Sequence, residues 1–114
     1  MQSELDLLLR TAIDSLAKLE LLLYLHARPA AAERPSEIGA RLRRPVAEVE
    51  SALKELAEAG LIERFALGTG RLAIYGPTED AHVQELLSLL HEQYHGDPQA
   101  RARIVRAASS RTHI

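Results

Sequence analysis

Residues 49–75 read Val49-Glu50-Ser51-Ala52-Leu53-Lys54-Glu55-Leu56-Ala57-Glu58-Ala59-Gly60-Leu61-Ile62, then Glu63-Arg64-Phe65-Ala66-Leu67, Gly68-Thr69-Gly70 and Arg71-Leu72-Ala73-Ile74-Tyr75. Val49, Ala52, Leu53, Leu56 and Ala57 recur at the 3.6-residue period, so this segment is a helix with one apolar stripe. Gly60 follows the last periodic residue, where a left-handed cap ends a helix without steric penalty. Two short runs rich in apolar residues then flank a glycine turn. They predict a hairpin of strands 61–67 and 71–75.

The residues upstream place a second helix against the first. Ser36 is a good N-cap, and Glu37, Ile38, Ala40 and Leu42 give a short helix ending near Arg43 or Arg44. Pro45 fits the first turn of the following helix, where its missing N–H goes unnoticed. Val46 extends that helix's buried stripe. Two helices over about 36–59 with a short turn, followed by a hairpin over about 61–76, make a helix-turn-helix with a wing.

Helices flank this unit. Ser3 with Glu4 and Asp6 reads as a helix start, and the leucine-rich pattern runs to His26 before Pro29 closes it. One long helix fits, and so does a pair in which Asp14 or Ser15 caps the second. Leu21, Leu22, Leu23 and Leu25 leave that segment apolar nearly all round, which implies burial on several sides. Thr78 with Glu79-Asp80 starts a helix over about 79–95, and Gly96 stops it. Asp97-Pro98 opens a last one, over about 97–108, with fraying expected from Ser109 onward. The fold class expected is mainly α with a small β-hairpin wing: a winged helix-turn-helix with N- and C-terminal helical extensions, in one domain over residues 1–114.

Composition bounds the function. The chain has 114 residues, 46% hydrophobic, with one Phe, three Tyr and no Cys. That suits one core filled by Leu, Ile, Val and Ala, and it excludes disulfides and thiolate metal sites. A net charge of −2 does not announce a polyanion partner. No stretch is apolar for the eighteen or so residues that a membrane span needs, and the N-terminus lacks a basic signal-like region. The expected location is therefore the cytoplasm, with no membrane partner.

Leu53, Leu56, Ala59-Gly60-Leu61-Ile62, Gly70 and Tyr75 resemble the pattern of winged helix-turn-helix regulators of the ArsR and MarR type, in which a recognition helix ends in Ala-Gly-Leu and runs into a two-stranded wing. The resemblance implies double-stranded DNA as partner, with the second helix of the motif in the major groove. Ser51 and Lys54 would face the groove, and Arg41, Arg43, Arg44, Arg64 and Arg71 would sit on phosphates. Charge objects. The exposed positions of that helix are Ala47, Glu48, Glu50, Ser51, Lys54, Glu55 and Glu58, four acids against one lysine, whereas affinity for DNA comes largely from neutralised phosphates. Two readings therefore stand: a dimeric DNA-binding regulator, and a winged-helix interaction or dimerisation module, with a protein partner, in which these acids are a solvated face with Glu50 and Lys54 as an i,i+4 pair.

His91-Glu92-Gln93-Tyr94-His95 is a literal H-E-x-x-H, but no third ligand follows at a zinc-protease spacing, so no enzyme is expected. The family resemblance offers another use. Zinc-sensing ArsR-type repressors hold metal on the C-terminal helix, and Asp80-Ala81-His82 matches the first half of that site. His91 and His95 miss the second half by about two residues, a rotation of some 200° around a helix. No cofactor or metal is therefore expected; His82, His91 and His95 are only weak candidates. Arg101, Arg103, Arg106 and Arg111 are expected to pair with the acidic run Glu79, Asp80, Glu85, Glu92 and Asp97, in this chain or a partner. The terminal helices carry more leucine than one wall of a small domain buries, so Leu5, Leu8, Leu9, Leu86, Leu87, Leu90 and Tyr94 are expected to form a homodimer interface.

Overall fold

The first 26 residues form two helices, not one. In the computed structural model, which describes residues 1–68 and 72–109, α1 spans Gln2–Arg10 and α2 spans Leu16–His26. The Ser15 hydroxyl accepts from the Lys18 N–H at 3.2 Å and so caps α2. Ile13, fully buried, plugs the corner between the two. The α1 start differs from the reading above: Met1 is the N-cap, and Ser3 lies inside the first turn. The all-round apolar character of α2 has the expected outcome. Leu19, Leu21, Leu22 and Leu25 are all buried, and α2 packs on α4, α5, α6 and the hairpin. Each such leucine contributes about 1.5–3 kcal/mol relative to an exposed one.

Next come α3, Pro35–Leu42, and α4, Val46–Glu58. The N-cap of α3 is Arg34, not Ser36: Pro35, whose φ is already helical, takes the first position, and the Glu37 carboxylate accepts from the Arg34 N–H at 2.9 Å. Pro45 likewise falls one residue earlier than expected and stands as the N-cap of α4. The turn between the helices passes through Arg43 in the left-handed region, φ 56°. Gly60, φ 78°, ends α4 as expected. Its N–H reaches Ala57 O and the Leu61 N–H reaches Leu56 O, both at 3.0 Å, the two bonds of a Schellman cap.

The hairpin pairs β1, Ile62–Leu67, with β2, Leu72–Pro77, antiparallel, from Ile62 opposite Pro77 to Leu67 opposite Leu72. The wing tip, residues 69–71 with Arg71, lies outside the described residues, as do residues 110–114 with Arg111. Glu33 adds a short bridge to Tyr75, with N–H···O bonds of 3.0 and 2.8 Å in the two directions. That bridge brings the chain at Ala31 onto Gly76. A Cβ at Gly76 would lie 2.4 Å from Ala31 O, so only glycine fits.

Asp80, not Thr78, caps α5, Ala81–Gly96: its carboxylate accepts from the Val83 N–H at 3.0 Å. Asp97 caps α6, Pro98–Ser109. Ala100, Ile104 and Ala108 of α6 are buried, and α6 packs on α1, α2 and α5. This overturns the basis of the dimer-interface expectation. Leu5, Leu9, Leu86, Leu87 and Leu90 are at most 6% exposed within the single chain, while Leu8 and Tyr94 are half-buried. The fold supplies its own cover. The large apolar side chains left outside include Met1 and Leu7 on α1 and Phe65, Leu67 and Leu72 on the hairpin. No helix among the described residues is long and apolar enough to cross a membrane.

Candidate nucleic-acid interface

Helix α4 sits on the core through Val49, Ala52, Leu53 and Leu56, each at most 6% exposed. At about 100° per residue, Ala47, Ser51, Lys54 and Glu58 then point outward, Glu48 and Glu55 lean to one flank, and Val46 and Glu50 to the other. The contacts agree. On the α2 flank, Arg44 donates to Glu20 from Nη2 at 2.6 Å and to Glu48 from Nη1 at 2.6 Å. Lys18, whose side chain is 8% exposed, donates to Asp14 at 2.7 Å and to Glu55 at 3.1 Å. Burial pushes the Lys18 pKa down, but its hydrogen bonds to Asp14 and Glu55 outweigh that and hold it above the usual lysine value. The Glu20 hydrogen bond likewise raises Arg44.

These links correct the charge account in both directions. Two of the four acids on α4, Glu48 and Glu55, are ion-paired with cations of the same chain. Arg44 is held between two carboxylates rather than standing alone. Arg41 lies 3.5 Å from Glu33, which also accepts from Tyr24 OH at 2.9 Å, and so faces α2 rather than α4. Ser51 is exposed, and its hydroxyl is 3.5 Å from Glu55. Arg43, Lys54 and Arg64 are exposed. The expected Glu50–Lys54 pair does not form: neither residue has an ion pair among the described residues.

On its other flank α4 faces the hairpin across an 830 Å³ groove, lined among others by Arg34, Val46, Glu50, Lys54, Arg64 and Tyr75. Arg34 and Val46 are the members that sequence reasoning missed. Val46 is expected in the buried stripe but is 43% exposed. Arg34 stands just before Pro35 as the N-cap of α3, and that place was the available signal.

No protein-family model matches the chain, and neither does the sequence of any curated protein. Solved structures do. A mutant of MepR from a multidrug resistant S. aureus clinical isolate superposes with a TM-score of 0.61, at 20% identity over 90% of this chain and 73% of that one. The fold is a winged helix-turn-helix. A mutant of Lactococcus lactis ZitR gives a TM-score of 0.56, at 20% identity over 80% of this chain. The winged helix described here spans 59% of the ZitR chain's length. A MarR-family transcriptional regulator from Rhodococcus sp. RHA1 gives 0.49, at 18% identity over 93% of this chain and 88% of that one.

The histidines divide into two places. His82 pairs with Glu4 of α1 at 2.6 Å, and that hydrogen bond raises its pKa. It is thereby separated from His91 and His95, whose ring centroids lie 4.4 Å apart, tilted at 51°, further along α5. His26, at the end of α2, joins them with its ring 5.6 Å from His91. Burial, then the neighbouring His91, lowers the His26 pKa. Among the described residues no three His, Cys, Asp or Glu groups converge to hold a metal ion. The arginine run does not meet the acidic run within the described chain; Arg101 instead stacks on the Tyr94 ring at 4.8 Å.

Proposed function

We propose that the chain is a cytoplasmic, sequence-specific regulator of transcription that binds double-stranded DNA as a homodimer. Helix α4 enters the major groove with its first two turns, and the hairpin lies along the flanking backbone. The observation that carries this reading is the pairing of Glu48 with Arg44 and of Glu55 with Lys18. It draws two of the four carboxylates on α4 into ion pairs on the α2 flank, each sharing its cation with a second acid. Exposed on this side are Lys54, with Arg43 at the turn, Arg34 just before α3 and Arg64 on the strand. On this reading Arg34 and Lys54 join Arg43 and Arg64 as phosphate ligands, in place of Arg41 and Arg44. Two copies double them, which fits the steep dependence of DNA affinity on the number of phosphates neutralised. Pairing of copies uses surface other than the leucines named from sequence; Met1, the N-cap of α1, and Leu7, 51% and 54% exposed, are among the apolar side chains available.

The test is an electrophoretic shift at low salt on genomic fragments around the chain's own promoter, with sedimentation to give the stoichiometry. A retarded band whose affinity falls with added salt is expected; no band at low salt removes the reading. The second reading, a protein-interaction module, has one observation in its favour: Phe65, Leu67 and Leu72 leave the wing with an exposed apolar edge. Arg43→Glu with Arg64→Glu separates the two, since the first reading predicts lost DNA affinity and the second unchanged partner binding.

A further inference from the structure

We infer that Glu50 is the specificity-determining residue of α4, and that it demands a cytosine in each half-site; this rests on the DNA reading above. Of the four acids on α4, Glu48 and Glu55 are tied to the α2 flank and Glu58 stands in the last turn, away from the end that meets bases. Glu50 alone combines the right end of the helix, an exposed position, and a carboxylate with no hydrogen bond or ion pair among the described residues.

An ionised carboxylate only accepts hydrogen bonds. In the major groove guanine offers N7 and O6 and thymine offers O4, all acceptors, so both set lone pairs against lone pairs. Adenine offers its N6 amino group beside the N7 acceptor, a pairing suited to an amide rather than a carboxylate. Cytosine N4 is the donor that a glutamate fits. A carboxylate that misses its donor is left charged and unsatisfied among phosphates. Glu50 therefore acts mainly by rejecting wrong bases, and gives little affinity of its own.

Its neighbour sharpens the site. Val46 lies one turn earlier, about 6 Å along the axis or nearly two base steps, with a half-exposed isopropyl group in the same groove. Thymine's methyl is the major-groove feature that such a side chain contacts. The half-site thus contains a cytosine with a thymine within two steps.

The experiment is selection from a random duplex library by the full chain and by its Glu50→Ala and Glu50→Gln variants, followed by titration of the selected duplexes. The wild-type chain should enrich one cytosine per half-site, and replacing it should weaken binding about tenfold or more. Glu50→Ala should bind the parent and substituted duplexes equally, and unrelated DNA more tightly than the wild type does. Glu50→Gln should shift the preference at that one position toward adenine. Because Glu50 is exposed, all three proteins should melt together. A wild-type motif without the cytosine, or a motif that Glu50→Ala leaves unchanged, overturns the assignment while the DNA reading stands. Failure of the wild-type chain to enrich any motif overturns both.

Discussion

On the α2 side of α4, Glu48 and Glu55 each hold a cation from another element; on the wing side, Glu50 and Lys54 stand one turn apart and hold nothing among the described residues. The residue types are the same. What differs is reach. Lys18 approaches α4 from α2, which packs on it directly, and Arg44 stands in the turn just before α4, four residues from Glu48, so their charges meet Glu55 and Glu48 within 3.1 and 2.6 Å. Across the wing groove no packed element brings a countercharge so close to Glu50. One flank is therefore structural and the other is open to a ligand, and substitutions on the two flanks should give different phenotypes.

The largest effect comes from removing what both flanks share. Leu53, fully buried under α4, should cost about 2–5 kcal/mol when changed to Ala, from lost transfer energy plus the cavity left behind. Urea unfolding would show it. Loss of DNA binding in Leu53→Ala should track loss of fold, with both flanks failing together. A variant that melts early yet binds DNA with unchanged affinity when folded would mean that α4 does not need this seat to hold its outer face.

Next is Arg44→Ala. The guanidinium side chain is 23% exposed and its two carboxylate partners are 41% and 43% exposed, so solvent screens part of the interaction, and about 1–2 kcal/mol is expected. The same change frees Glu48 beside the DNA-facing strip. Both stability and affinity should fall. Arg43→Gly should separate them. Arg43 adopts a left-handed backbone, which costs a residue with a Cβ roughly 1 kcal/mol or more, and its side chain is exposed. Glycine there should raise the melting temperature while the slope of log affinity against log salt shrinks by about 0.9, one phosphate contact. Opposite movements of stability and affinity at adjacent arginines would be strong support for the division of α4. Parallel movements would argue against it.

How much of this was visible in the chain follows the range of each interaction. Gly60, Pro35, Pro45 and Asp97 act on neighbours within a turn or two, so the helix ends, the hairpin and the winged helix itself were legible, with errors of one or two residues at Ser36, Pro45 and Thr78. The fate of the charges was not. Arg44–Glu48 is an i,i+4 spacing that the sequence offers, but Arg44 also reaches Glu20 across 24 residues and Lys18 reaches Glu55 across 37, distances at which local periodicity carries no signal. The terminal leucines fail for a related reason. Periodicity at Leu5, Leu9, Leu86 and Leu90 states that a face is buried, and it reads the same whether α6 or a second copy does the burying. Val46 was misplaced because spacing alone does not show how far along a helix its cover extends.

The smallest effect is a matter of pH, and it isolates the tied flank. Lys18 is held protonated by Asp14 and Glu55 against the opposing pull of burial, so its folded pKa lies above the unfolded value of 10.5. A raised pKa in the folded state means that the folded chain binds the proton more tightly. The resulting stability is fully present below 10.5 and is lost as pH rises through the folded value. Tyr24 adds to the same alkaline loss, since burial, then its bond to Glu33, favours the protonated phenol. The wild-type chain should therefore lose melting temperature on the alkaline side through both groups. Lys18→Met keeps the stem's packing and removes the titrating charge, so its alkaline decline should be shallower, with only the Tyr24 part remaining. A decline as steep as that of the wild type would show that Lys18 contributes packing alone, and that the neutralisation of Glu55 does not stabilise the seat of α4.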